Sequence, residues 1–136
     1  METKVKKMTT GKTKENNAGL AAFIGDLFAF NVSLKLFHWH VTGPASYAQH
    51  MALDQAIDAL SETLDSVAET SYALVGDLDI VVPQIKSPKD IIKHVEGFYD
   101  HVQDGRKYFT EDFSAGLLDD FQEALQQLLY RLKRLQ

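Results

Sequence analysis

The chain has 136 residues, 45% hydrophobic and 24% charged, with a formal net charge of −5, the size and make-up of one folded domain that can bury its own core. It contains no cysteine. That excludes disulfides, thiolate zinc sites and thiol nucleophiles, so any metal must be held by nitrogen and oxygen ligands.

Charge is spread unevenly. The first seventeen residues set Lys4, Lys6, Lys7, Lys12 and Lys14 against Glu2 and Glu15, and the acidic excess lies in the remainder. Residues 1–16 read as a flexible basic arm on an acidic body, a pattern suited to touching DNA or another acidic surface. The apolar run 20-LAAFIGDLFAF-30 that follows is broken by Asp26 and soon meets Asn31 and Lys35. It is too short and too polar for a membrane span and carries no cleavage-site pattern, so a cytoplasmic protein without membrane contact is expected.

Four helices are predicted, with no strand pattern and no internal repeat. The first runs from about Asn17 to Val41, with Leu20, Phe23, Ile24, Leu27, Phe30, Leu34 and Phe37 at steps of three and four, and Gly43-Pro44 ends it. A second runs from about Ala45 to Val75 on a stripe of Leu53, Ile57, Leu60, Leu64, Val67 and Leu74, with Gly76 as its stop. After a short irregular link, Ser87 is expected to cap a third helix with Pro88 at its first position, ending near Phe109. Ser114 is expected to cap the fourth, whose inner face carries Leu117, Leu118, Phe121, Leu125, Leu128, Leu129 and Leu132. With short links making neighbours antiparallel, the fold class is all-α, an antiparallel four-helix bundle spanning residues 17–136.

The second helix also carries His50, Asp54, Asp58, Glu62, Asp65 and Glu69. At about 100° per residue, His50, Asp54, Asp65 and Glu69 fall within an arc of roughly 100° beside the apolar stripe, while Asp58 and Glu62 are read as solvated or as neighbours of the site. His50/Asp54 and Asp65/Glu69 are i,i+4 pairs, each able to share one metal ion. The pairs are about 22 Å apart along the axis, so one chain cannot bring both to one ion. Two copies of the helix, antiparallel about a two-fold axis between Ala59 and Leu60, can. Positions 50 and 69 have the same sum as 54 and 65, so one register aligns both pairs and makes two equivalent sites. His38, across the Gly-Pro turn, is brought alongside His50 by a helical hairpin. Two imidazoles and three carboxylates suit iron, manganese or zinc.

The pattern His38-Trp39, Gly43-Pro44, His50-x-x-x-Asp54 and Asp65-x-x-Ala68-Glu69 resembles the Dps family of mini-ferritins, in the ferritin-like superfamily, over about Leu34 to Leu74. The resemblance implies a ferritin-like bundle and an inter-subunit ferroxidase site. His38, His50 and Asp54 would come from one chain and Asp65 and Glu69 from its two-fold mate. It further implies Fe(II) oxidation with hydrogen peroxide as the favoured oxidant, iron storage in a homo-oligomer extending to a dodecameric shell, and Trp39 beside the site as an electron donor or radical sink. DNA binding through the lysine arm is the alternative activity. The chain departs from the family at Thr70, where an arginine is common, at Ser46, and in a link after the second helix with little room for the family's short extra helix. None of the seven glutamates is followed three residues later by histidine, which argues against an intrasubunit di-iron centre. His40 reads as a surface residue, and His94 and His101 as a solvated or interface face beside Asp90.

Overall fold

A computed structural model describes residues 11–136; most of the basic arm, residues 1–10, lies outside the described residues. Four α-helices follow in order: α1 (Gly11–His38), α2 (Ser46–Val75), α3 (Ile91–Gly105) and α4 (Asp112–Arg134), with a 3-10 turn, Arg106–Tyr108, between the last two. No strand occurs among the described residues. As the apolar spacing requires, Leu27, Phe30 and Leu34 of α1, Leu53, Leu60 and Val67 of α2, Val95 and Val102 of α3, and Leu118, Phe121 and Leu125 of α4 form one continuous core. The Lys14–His38 segment of α1 is long and apolar enough to cross a membrane by length and composition alone, yet 61% of that window is buried inside the bundle.

The helices touch chiefly as α1/α2, α2/α4 and α3/α4, with a smaller α1/α3 contact, so α1/α4 and α2/α3 are the diagonals of a square. Side-chain bonds give the directions. Asn31 donates to Ser61 while His38 meets Asp54, so α2 runs against α1. Ser33 meets His94 while Asp26 meets His101, so α3 also runs against α1. α2 and α3 are therefore parallel. The expectation that a short link would make them antiparallel neighbours is overturned: Gly76–Asp90 is an extended crossover that returns along the bundle. Fifteen extended residues span about 50 Å, enough to travel back past a 30-residue helix of about 45 Å.

The crossover lies on α1 at Gly25. A Cβ there would collide with the carbonyl oxygen of Val81, so only glycine allows this approach. Ile80 and Leu78 pack against the core from the same strap, and Tyr72 donates its hydroxyl to the Leu78 carbonyl at 3.1 Å. No helix forms within the crossover.

Helix boundaries differ from expectation where capping chemistry competes. α3 begins at Ile91, because the Asp90 carboxylate accepts from the Lys93 N–H at 3.1 Å. Ser87 and Pro88 stay in the extended strap. α3 stops at Gly105, where the Phe23 ring occupies the place of a side chain and the chain tightens into the 3-10 turn. Ser114 lies inside α4, and its hydroxyl donates back to the Glu111 carbonyl at 2.9 Å. α1 ends at His38, three residues before the expected Val41; the next turn tightens through His40 N–H to Phe37 O at 2.8 Å.

His101 is exposed and His94 half-buried, so the solvated-or-interface reading holds in part, but both rings also pair with α1. The Ser33 hydroxyl donates to Phe30 O at 2.5 Å and lies 2.7 Å from His94 Nε2, which leaves the imidazole N–H to donate to the hydroxyl oxygen. The His94 ring stacks on Phe30, itself stacked on Phe98 at 4.0 Å. His101 Nε2 pairs with Asp26 at 2.9 Å. Both partners lie on α1, so these histidines bind α3 to it.

Two measurements check this account. Gly25→Val should lower the urea midpoint by the equivalent of about 1–3 kcal/mol, because the strap must lift. Gly97→Ala, where nothing lies within 4 Å of a new methyl group, should raise it by about 0.5–1 kcal/mol. Burial holds the His94 imidazole below its ordinary value of 6.5. A lowered folded-state value means that its contribution is complete above about pH 6.5 and is lost as pH falls through the folded value. Urea midpoints of the wild type should therefore fall below that pH, and His94→Gln should flatten the fall.

Candidate metal centre

The site lies where α1 ends and α2 begins. Seven residues connect the helices, and Gly43 takes a φ of +93° within them, a conformation that favours glycine. The Ser46 N–H then donates to the Gly43 carbonyl at 3.0 Å, closing the turn that starts α2. This hairpin places the last residue of α1 against the first turns of α2.

Three of the expected ligands meet there. His38, His50 and Asp54 each offer a ligand atom, and these atoms all lie within 4.8 Å of one another. His38 Nε2 is 2.9 Å from Asp54 Oδ1, and His50 Nε2 is 3.7 Å from Asp54 Oδ2. The two imidazoles stack with centroids 3.6 Å apart. His50 Nδ1 lies 3.2 Å from the His38 carbonyl, which can only accept, so the Nδ1–H donates and the Nε2 lone pair faces the cluster. A ring N–H given to a backbone carbonyl is how metal-binding histidines are commonly oriented.

His38 is only 4% exposed, yet neither ring nitrogen has a hydrogen-bond partner. The 2.9 Å approach to Asp54 is close enough but off the line that an N–H bond requires. A buried polar group without a partner is costly, and a cation shared with Asp54 and His50 would satisfy the His38 nitrogen that faces them. The donor set, two imidazole nitrogens and a carboxylate, fits a borderline divalent metal.

Asp54 stays ionised across a wide range. Partial desolvation pushes its carboxyl up, but the adjoining His38 and then the Lys35 ammonium outweigh this and hold it below the ordinary carboxylate value. Lys35 Nζ sits 3.5 Å from Asp54 Oδ1. This residue was not among the sequence candidates, although its place three residues before His38 put it on the same side of α1.

Asp65 and Glu69 lie elsewhere on α2, exposed, as do Asp58 and Glu62. The helical rise separates them from the triad within one chain. Trp39 follows His38 directly but is 67% exposed, its ring turned to the surface instead of packed in the bundle. His40 is exposed.

If the orphaned nitrogens of His38 are maintained for a cation, His38→Met should stabilise the metal-free chain by about 1–2 kcal/mol in urea with chelator present. The same variant should abolish the rise in Tm that Zn2+ produces in the wild type. An unchanged or lower midpoint in chelator would show that His38 is satisfied without a metal.

No curated protein and no solved structure gives a significant match to this chain. A family model described as a family of unknown function (DUF5856) matches residues 38–132. The match begins at His38, takes in His50, Asp54, Asp65 and Glu69, and covers more than two-thirds of the sequence. The chain belongs to the DUF5856 family of unknown function.

Proposed function

We propose that this protein is a mini-ferritin of the Dps type, oxidising Fe(II) with hydrogen peroxide at a site that two subunits build together and storing the ferric product. The observation that carries the reading is the His38–His50–Asp54 cluster with its buried, unpartnered imidazole. Two features support it. One crossover in a bundle of four helices, with α2 and α3 parallel, is the connectivity of ferritin-like folds. The exposed Asp65/Glu69 pair stands at the spacing from His50/Asp54 that a two-fold axis at Ala59/Leu60 requires.

In this reading His38 and His50 give neutral nitrogen donors, Asp54 gives a carboxylate, and Asp65 and Glu69 of the partner subunit complete the site. Carboxylates favour the ferric product over the ferrous substrate, and a small ligand set leaves positions open to the oxidant. The reaction balances as two Fe(II) giving one electron each to one peroxide. The O–O bond breaks, two protons are taken up and two waters form. In this reading Trp39, next to His38 in sequence and open to solvent, would donate an electron when a single iron meets peroxide. Zinc or manganese would occupy the same ligands as substitutes. The assembly is a two-fold dimer at minimum, with a dodecameric shell as its extension, in the cytoplasm.

Peroxide-driven Fe(II) oxidation, followed by ferric absorbance, tests the reading. Asp54→Asn, and separately Asp65→Asn with Glu69→Gln, should each slow the wild-type rate on the order of a hundredfold. Equal, slow rates in all three proteins would overturn it.

A further inference from the structure

Among the described residues, Lys35 is the one cation that touches the triad. Its ammonium and His38 Nε2 share a single oxygen, Asp54 Oδ1, at 3.5 and 2.9 Å, while Oδ2 faces His50 at 3.7 Å. With both imidazoles neutral, Asp54 and Lys35 cancel, and the half-site within one chain has no net charge. Both side chains are partly exposed, so the ion pair alone adds little to stability. Its effect on a divalent cation is larger, because a doubly charged neighbour doubles the Coulomb term.

We infer that Lys35 is an internal counter-cation that sets the metal affinity of this site, occupying part of Asp54 in the empty half-site and opposing a divalent ion until further carboxylates are supplied. This rests on the metal-centre reading above. A +1 charge about 5 Å from a +2 ion in a water-like medium weakens binding about tenfold. Screening reduces that penalty, so the contribution of Lys35 shrinks as salt rises.

The test is a Co2+ titration of the full chain, followed by the visible absorption of bound Co2+ and so independent of oxidation activity. Lys35→Met should bind Co2+ about tenfold more tightly than wild type at low salt, with the gap narrowing in high salt. Lys35→Arg, which keeps the charge, should stay near the wild-type affinity. His50→Gln reports whether Co2+ is at this site at all. If His50→Gln loses the spectrum while Lys35→Met and wild type bind equally, the role of Lys35 is overturned and the metal centre stands. If wild type gives no spectrum, or His50→Gln leaves it unchanged, the metal-centre reading fails and the role of Lys35 with it.

Discussion

The strap from Gly76 to Asp90 must cover the length of α2, and the arrangement of the bundle follows from that. Because the chain returns before starting α3, α2 and α3 run parallel on opposite corners, and α1 packs against both. α1 is therefore the helix with the greatest demands on its faces. It meets α2 through Asn31 and His38, α3 through Asp26, Phe30 and Ser33, and the strap through Gly25. Its lack of a simple polar side reflects those three contacts. The strap depends on a single bare Cα at Gly25, where a backbone carbonyl sits in place of a side chain.

Much of the bundle was legible from periodicity. Apolar stripes marked the first, second and fourth helices, and the second began within a residue of its expected start, because a face of large apolar residues can be buried in few ways. The direction of α3 was not legible. A twelve-residue stretch with one proline reads as a loop, and local spacing does not say whether a link turns or travels. Helix starts were misplaced for a related reason. Ser87-Pro88 and Ser114 are sound capping signals, but Asp90 and Glu111 sit at the positions that the strap and the packing of α4 leave open. The α1 partners of His94 and His101 were not legible because Ser33 and Asp26 are 61 and 75 residues away.

The candidate site was more legible than the topology around it. His38, His50 and Asp54 are close in sequence and are joined by one tight hairpin, so local spacing was enough to bring them together. Lys35 was passed over because lysines on a helix ordinarily face water. Here the same spacing that aims His38 at Asp54 also brings Lys35 there. The His38–His50–Asp54 cluster is thus held by conflicting demands. His38 is buried for packing but unpartnered, and Asp54 is shared between an imidazole and an ammonium. Sites arranged this way trade stability of the empty state for capacity to accept a ligand.

In the proposed two-fold register, the residues facing one another along paired α2 helices bear on how assembly and metal are linked. Asp58 would face Ser61 of the partner subunit, Glu62 would face Ile57 of the partner subunit, and His50 would face Glu69 of the partner subunit. Asp54 and Asp65 of the partner subunit would set carboxylate against carboxylate, and the two-fold axis would repeat that conflict. Facing like charges oppose association. A divalent cation between them reverses the sign, and it falls where the two histidines already converge. In the proposed register the metal would relieve the conflict that pairing creates, so metal loading and pairing of subunits would promote one another to the same degree, as linkage requires.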